Sequence, residues 1–377
     1  MRVLIDPVKK LIQPTGWSKK ALADLKIDLD GLCESNCGYC SSNSNLWHQF
    51  NKRSHAEAVT AQTGTGATPF TPGLSYRFPD PVAQLRKELE GKPRNYGDGK
   101  TIAFGCLVDN LGTSLVKSGI ARACLELLVA RTMLRIRVTT KNEVVGREEW
   151  IRFFLAHAGR FVINLSIGTV DDEWARKIER DTSKPTARIR AMRRLQDAGV
   201  PTGGMICPVF PQAVKDIEEI LTAIRPQRCE MVWAEPYNDR TNWTRVTGDQ
   251  QTEVDLANMF GHKKDPNAWS AYAVDLYKRL RLRADADGWT DKLAYMLYES
   301  SMEASYARTF ADLRGVLLQS VDKNGRSKHP VFAGLQDRLK ITRHELIAYD
   351  GPESNDWTDP QDEEVARWEA LMAGSAS

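Results

Sequence analysis

The sequence has no long apolar run. No segment approaches the roughly 20 consecutive apolar residues that a membrane-spanning helix needs, and the first residues, Met1–Asp6, lack the apolar core of a signal peptide. It also has no internal repeat and no long low-complexity segment. Its 377 residues, 42% hydrophobic and 27% charged, are ordinary for a globular chain and exclude a mainly disordered or fibrous protein. We therefore expect a globular protein in the cytoplasm, with no membrane partner.

The net charge is small, but the charges are unevenly distributed. The whole chain has 52 basic and 49 acidic residues. Residues 350–377 hold eight of the acids and one base, which leaves 51 bases and 41 acids in residues 1–349, a charge of +10. A basic body with an acidic tail suits an anionic partner such as nucleic acid, although an ordinary solvated surface has the same composition.

The seven cysteines are unevenly placed too. An odd number of cysteines without an export signal argues against a disulfide framework. Three of them, Cys33, Cys37 and Cys40, lie within eight residues. Of the others, we expect Cys106 to end a strand.

Strand-like and helix-like segments alternate along the chain up to about residue 245. Six apolar or β-branched runs predict strands, and they are Leu25–Leu29, Thr101–Leu107, Leu134–Lys141, Phe161–Ile167, Gly204–Val209 and Cys229–Glu235. Helical periods fall between or after them, over Ser114–Arg131, Arg147–His157, Pro185–Ala198 and Val214–Ile224. Alternation of this kind requires a parallel sheet with right-handed crossovers.

These segments predict an α/β fold, a partial (β/α)6 barrel with a helical C-terminal region. Residues 51–80 have no clear period and are expected to form a long loop. Further helices are expected over Ala268–Ala284, Thr290–Thr309 and Pro330–Leu339. We expect one domain over residues 1–245 and a mostly helical region with an acidic tail over 246–377.

The cysteine cluster has the spacing C-x3-C-x2-C and follows the first predicted strand of the barrel. Three thiolates can each hold one iron of a [4Fe–4S] cluster, whose usual full set is four cysteines. The iron without a protein ligand is then open to another group, as catalytic metal sites generally require. A zinc site in which His48 joins the three cysteines is the alternative.

The spacing, with aromatic Tyr39 before the last cysteine, resembles the radical S-adenosylmethionine (radical SAM) superfamily. The resemblance implies a (β/α)6 partial barrel in which Cys33, Cys37 and Cys40 ligate the cluster. It implies that the open iron binds S-adenosylmethionine. It also implies that an external one-electron reductant, of the flavodoxin or ferredoxin type, drives cleavage to a 5′-deoxyadenosyl radical.

Residues 25–245 are also similar to spore photoproduct lyase and its DNA-repair-photolyase-like relatives. The similarity rests on the order and spacing of several pieces, namely Thr101–Asp109, Arg137–Lys141, Ile163–Gly168, Ile178–Arg194, Ala198–Pro211 and Ala234–Arg240. In that family a cysteine at the end of the second strand returns a hydrogen atom to the substrate radical, and Cys106 matches it. A small buried hydrophobic residue is the ordinary alternative for a free cysteine.

The same resemblance implies the residues that contact the cofactor. Lys141 and Ser166 match residues at the methionine carboxylate, and Tyr39 matches the aromatic residue beside the adenine. Glu235 and Asn238, at the end of the sixth strand, are further candidates for polar contacts to cofactor or substrate. Solvation of Lys141 and ordinary packing of Tyr39 are the alternatives.

The sequence departs from the lyase at Ser41, where that family has a second tyrosine that belongs to a hydrogen-transfer relay. Leu107 and Val108 also replace small polar residues. The family chemistry is therefore better supported than the repair reaction.

For the substrate we expect DNA or a modified nucleotide, with a thymine-derived base that is either repaired or modified. Candidate contacts are two basic helical runs and three tryptophans, namely Arg188, Arg190, Arg193, Arg194, Lys278, Arg279, Arg281, Arg283, Trp47, Trp233 and Trp243. Two alternatives stay open: a radical SAM isomerase or modifying enzyme for a small molecule or peptide, and a zinc-stabilised nucleic-acid-binding protein.

Overall fold

The structure is a computed structural model that describes most of the chain. It describes residues 2–4, 10–15, 22–31, 33–35, 37–40, 52–64, 75–238, 266–310, 313–322 and 324–340. Within these residues no helix is long and apolar enough to cross a membrane.

The strands in the described residues are short and evenly spread. They are β1 (Arg2–Leu4), β2 (Ile12–Pro14), β3 (Leu25–Ile27), β4 (Ser75–Arg77), β5 (Thr101–Phe104), β6 (Arg135–Thr140), β7 (Phe161–Ser166), β8 (Thr202–Val209), β9 (Cys229–Pro236), β10 (Leu293–Leu297) and β11 (Val316–Leu318).

Helices alternate with most of these strands. They are α1 (Lys52–Thr63), α2 (Pro81–Glu90), α3 (Thr113–Lys117), α4 (Ile120–Arg131), α5 (Glu148–Ala156), α6 (Asp172–Ile178), α7 (Pro185–Asp197), α8 (Pro211–Val214), α9 (Ile217–Ile224), α10 (Pro266–Asp287), α11 (Ala304–Ala307) and α12 (Pro330–Leu339).

The fold class predicted from the sequence is confirmed. Nine strands form a mostly parallel sheet in the order β2-β3-β5-β6-β7-β8-β9-β10-β11, as a partial radical SAM barrel would have. The six predicted strands correspond to β3, β5, β6, β7, β8 and β9. Only β2 pairs in the antiparallel sense among the strand pairs of the described residues.

The described residues form two compact units, the first up to Met205 and the second from Ile206 onward. In the first unit β3, β5, β6 and β7 are parallel neighbours, and their carboxyl ends lie at one edge. Every residue of β7 is buried, as is typical of a strand in the middle of a parallel sheet. The ends of these strands position the candidate site.

In the second unit β10 pairs in parallel with both β9 and β11. The expected helix over Thr290–Thr309 is therefore wrong. Its first half is the strand β10, whose five residues are all buried, and the short helix α11 follows. A continuous buried apolar run is compatible with either structure by period alone, and here pairing with two neighbours selects the strand.

Two further expectations are corrected. Residues 51–80 are not one long loop, because they contain α1 and β4. The strand β4 pairs with β1, so the partner that stabilises it lies more than 70 residues earlier in the chain. The expected helix Ser114–Arg131 is two helices, broken at Gly119, which has a φ of 75°. The expected domain boundary at residues 245 and 246 lies outside the described residues.

Candidate functional site

The three clustered cysteines lie in a loop after β3, which we call the cysteine loop (residues 33–40). Cys33 and Cys37 are buried and Cys40 is partly exposed. The backbone amide of Cys40 donates to the carbonyl of Cys37 over 3.0 Å. This hydrogen bond keeps the backbones of Cys37 and Cys40 close together.

The chain just after α6 holds the cysteine loop in place. Cys37 forms an isolated antiparallel bridge with Glu179, and the amide of Gly38 donates to the carbonyl of Ile178 over 2.9 Å. The loop is therefore fastened by backbone hydrogen bonds that depend on no particular side chain.

Asp109, in the loop after β5, joins the cysteine loop to the end of β6. Its backbone amide donates to the sulfur of Cys33 over 3.3 Å. Its carboxylate accepts from the hydroxyl of Thr140 (2.9 Å) and from the amide of Lys141 (2.8 Å). Amide donors to a sulfur stabilise its negative charge, as they do around metal-bound thiolates.

The surroundings of the two buried thiols, Cys33 and Cys37, favour the protonated form of each. Burial, followed by the charges of Asp109 and Cys40, raises the pKa of Cys33 to about 12. Burial also raises the pKa of Cys37, while Lys141 acts in the opposite direction. Because thiolates are the ligating form, metal binding here must release protons.

The donor set of three cysteine thiols fits a [4Fe–4S] cluster that has one open iron. In the part of the chain that the structure describes, no group of three or more His, Cys, Asp or Glu side chains is placed to hold one metal ion. One zinc would bring the sulfur atoms of Cys33, Cys37 and Cys40 to about 2.3 Å from a common point. A cluster instead binds each cysteine at a separate iron. His48, the fourth zinc ligand considered, lies outside the described residues.

A buried charge network adjoins the cysteine loop. The ammonium of Lys141 donates to Glu179 Oε1 over 2.7 Å and also to the hydroxyl of Tyr39, and it lies 4.7 Å from the centroid of the Tyr39 ring. The Tyr39 hydroxyl donates to the same carboxylate oxygen. Arg188 donates to Glu179 Oε2 and to the carbonyl of Ser166.

The charges in this network stabilise one another. Burial alone would raise the pKa of the Glu179 carboxyl, but Arg188 and Lys141 outweigh it and hold that pKa at about 2. Burial would lower the pKa of Lys141, but Cys37 and Glu179 outweigh it and raise the pKa. The pKa of Tyr39 is raised well above its usual value, first by burial and then by Glu179. The tyrosine is therefore neutral, and the other three side chains are charged.

Cys106 lies in a tight loop directly after β5 and is partly exposed. One oxygen of Asp28 accepts from three successive amides, those of Cys106 (2.9 Å), Leu107 (2.8 Å) and Val108 (3.3 Å). The Cys106 sulfur lies 3.7 Å from the hydroxyl oxygen of Thr15. The thiol is thus fixed at the carboxyl end of the strand, on a backbone that Asp28 holds rigidly.

The structure brings together some of the expected cofactor residues. Tyr39 and Lys141 are in contact, and buried Ser166 is joined to them through Arg188. Glu235 and Asn238 belong to the second unit. There, Asn238 donates to the carbonyl of Pro236 over 3.4 Å.

Two of the expected nucleic-acid contacts are corrected by their burial. Arg188 is fully buried in an ion pair, and Trp233 is fully buried. On α10, three of the four basic residues form ion pairs with acidic residues one turn away, namely Arg279 with Asp275, Arg281 with Asp285 and Arg283 with Asp287. Arg190 and Arg194 are exposed. Trp47 and Trp243 lie outside the described residues.

Four residues of the site were not expected from the sequence as parts of it, namely Asp28, Asp109, Glu179 and Arg188. Asp28 and Asp109 follow β3 and β5, and a polar residue just after a parallel strand is a usable signal. Glu179 and Arg188 carry no such signal, because only the folded chain brings them to the cysteine loop.

Solved structures and one curated protein resemble this chain. A spore photoproduct lyase mutant with dinucleoside spore photoproduct is 16% identical over 67% of this chain and 66% of that one, with a TM-score of 0.44. SuiB of Streptococcus suis, bound to S-adenosylmethionine, is 12% identical over 64% of this chain and 48% of that one, with a TM-score of 0.36.

The curated protein is the uncharacterized protein ORF301 of Acidianus two-tailed virus, 24% identical over 142 residues. The match covers 34% of this chain and 46% of that protein. The chain therefore spans less than half of this relative and less than two thirds of the two solved structures.

The family match covers more of the chain. Residues 31–224, which include the cysteine loop and the charge network, match the Radical SAM superfamily. This family implies a [4Fe–4S] cluster and S-adenosylmethionine as cofactors. By this match over half of its length, the chain belongs to the radical SAM superfamily.

Proposed function

We propose that Cys33, Cys37 and Cys40 hold the [4Fe–4S] cluster and that the enzyme acts on a thymine-derived base in DNA, by lesion reversal or by modification. The observation that supports the cluster assignment is the buried thiol of Cys37, which lies near Lys141, while Lys141 in turn contacts Tyr39. Cysteine ligation and a nearby cation for an anionic cofactor group are both what this chemistry requires.

The cofactors would supply the radical, and the side chains of this protein would bind and orient the cofactors and the substrate. When bound, the cluster and S-adenosylmethionine supply a 5′-deoxyadenosyl radical that takes a hydrogen atom from the substrate. Lys141 and Ser166 bind the methionine carboxylate, since ammonium and hydroxyl groups are good donors to a carboxylate. Tyr39 borders the adenine. Glu235 and Asn238 are proposed as polar contacts to the cofactor or the substrate.

Cys106 is proposed as the donor that returns a hydrogen atom to the substrate radical. Its S–H bond breaks, a C–H bond forms on the substrate carbon, and a thiyl radical remains on the sulfur. Two features support this role: its partial exposure, and the Asp28 hydrogen bonds that fix the backbone beneath it. A rigidly held thiol can be placed against one carbon of the substrate and not its neighbours.

DNA as the substrate is supported by the +10 charge of residues 1–349. A base in a duplex would have to be flipped out to reach the site. The partner that supplies the electron is proposed to be of the flavodoxin or ferredoxin type. Location in the cytoplasm stays a prediction from the sequence.

A small molecule or peptide substrate is the second candidate. The burial of Arg188 and Trp233 favours it, because it removes one basic and one aromatic side chain from the surface.

The test is anaerobic turnover with deuterium-labelled candidate substrates. For the first candidate we expect transfer of deuterium from a thymine derivative into 5′-deoxyadenosine, and binding of DNA that weakens steeply with salt. Transfer only from small molecules or peptides, with no DNA binding, contradicts it and supports the second.

A matched pair of variants tests Cys106. Cys106→Ala should change the product yield or distribution. Cys124→Ala should not, because Cys124 is a fully buried thiol on α4. Unchanged products with Cys106→Ala exclude the donor role.

A further inference from the structure

The strongest unassigned feature is the carboxylate of Glu179, which lies between the cysteine loop and the candidate cofactor residues. We propose that Glu179, held by Arg188, is a positioning residue that fixes Lys141 and Tyr39 for S-adenosylmethionine. This inference rests on the proposed function, since it assumes that these two residues contact the cofactor.

The geometry uses both carboxylate oxygens. Oε1 accepts from Lys141 over 2.7 Å and from the Tyr39 hydroxyl, and Oε2 accepts from Arg188. The partners come from the cysteine loop, from the residue after β6 and from α7. One side chain therefore sets the relative positions of three separate elements.

Arg188 holds Glu179 from the side away from solvent. Its side chain is 0% exposed, against 5% for Glu179 and 14% for Lys141. It also donates to the carbonyl of Ser166, at the end of β7. Because the guanidinium is planar and bonded to two groups, it restricts rotation of the carboxylate. Exposure increases from Arg188 to Lys141, so Lys141 is the member best able to reach a ligand.

Glu179 pairs with two cations at once. Lys141 and Arg188 share its single carboxylate, and Asp109 is a second acid near Lys141, whose backbone amide donates to it. Because Arg188 occupies Oε2, Glu179 confines the flexible Lys141 side chain through Oε1 alone. An ammonium group has three N–H donors, so it can also donate to a ligand carboxylate.

Glu179→Gln is the main test, made in the reconstituted holoenzyme. The backbone bridge between residues 37 and 179 does not depend on the side chain, so iron per chain should equal that of the wild type. The dissociation constant for S-adenosylmethionine should rise about tenfold or more, as for other residues that orient a ligand-binding group. The change that S-adenosylmethionine causes in the electron paramagnetic resonance spectrum of the reduced cluster should be lost or diminished.

Glu299→Gln is the matched control. Glu299 is also a buried glutamate, but it accepts from the amides of Gln319 and Ser320 in the second unit. Its replacement should leave the affinity for S-adenosylmethionine and the spectral change as in the wild type.

A second variant, Glu179→Asp, tests whether Glu179 positions Lys141 and Tyr39 if Glu179→Gln does not fold. It keeps the charge but shortens the side chain, so affinity should fall while iron is retained. Wild-type affinity and spectrum in either variant overturn the proposal, and so does loss of affinity only in parallel with loss of iron. If the wild type itself takes up no cluster or binds no S-adenosylmethionine, the proposed function fails instead.

Discussion

Gly105 is the residue at which a single methyl group should most clearly disturb the candidate site. It lies between β5 and Cys106 and has a φ of 92°, which L side chains rarely adopt. A Cβ placed there would lie 2.9 Å from the carbonyl oxygen of Val108, 3.1 Å from that of Thr139 and 3.3 Å from the amide of Asn110. All three are backbone atoms held in hydrogen-bonded loops or strands, so they cannot move aside cheaply.

The loss of stability that we expect from Gly105→Ala has two parts. An alanine at positive φ costs about 1–2 kcal/mol, and forcing an extra methyl group into a packed site costs a further ~1–3 kcal/mol. We therefore expect Gly105→Ala to lower the free energy of unfolding by about 2–5 kcal/mol. Gly119→Ala is the matched control, because Gly119 has a φ of 75° but nothing lies within 4 Å of a Cβ there. Only the first part, about 1–2 kcal/mol, applies to it.

The assay is urea unfolding of the metal-free chain, with the wild type and the two variants measured side by side. Because Cys106 is the next residue, Gly105→Ala should also alter the product distribution in turnover, whereas Gly119→Ala should not. Equal losses of stability in the two variants would show that the close contacts at Gly105 are not as described, and would refute the reasoning.

Three further predictions concern stability. Burial lowers the pKa of His329 from 6.5 to about 4, so the unfolded chain takes up a proton before the folded chain does as pH falls. As the pH falls from 6.5 to 4, the free energy of unfolding should fall by roughly 3 kcal/mol on account of this residue. Urea unfolding measured across that range should show this dependence on pH. If His329→Asn shows the same dependence as the wild type, the buried neutral His329 is not its cause. Arg160 donates to three backbone carbonyls near the end of α4, so Arg160→Leu should cost about 2 kcal/mol in the same assay, and a loss below about 0.5 kcal/mol would contradict this. Arg279→Ala removes an exposed ion pair with Asp275 and should change stability by less than about 0.5 kcal/mol; a much larger loss would show that the pair is not solvated.

The barrel strands could be predicted because each is a short run of apolar and β-branched residues bounded by helical segments. Phe161–Ser166 is an example, since all six residues are buried. The same reasoning failed at Leu293–Leu297, which is equally apolar but lies in a stretch with no flanking alternation. It also failed at Ser75–Arg77. This strand pairs with the first residues of the chain, and a pairing so distant in sequence gives no local pattern from which to predict the strand.

Some residues of the candidate site could likewise be predicted from the sequence, and others could not. The cysteine loop was predictable from spacing, and Lys141 and Cys106 from their places after strands and the family resemblance. Glu179 and Arg188 were not predictable, because their significance comes from a buried contact with Lys141, 38 residues from Glu179 in sequence. Arg188 was even expected to face nucleic acid, since the period of a helix shows which residues share a face but not which arginine has a buried partner.

The central claim is that Cys33, Cys37 and Cys40 hold a cluster that cleaves S-adenosylmethionine. The most direct measurement is anaerobic reconstitution, followed by iron analysis and detection of 5′-deoxyadenosine after reduction. The wild type should contain about four irons per chain and form 5′-deoxyadenosine, and Cys37→Ala should form none. A wild type that binds zinc but no iron, or a Cys37→Ala variant that still forms 5′-deoxyadenosine, would contradict the account.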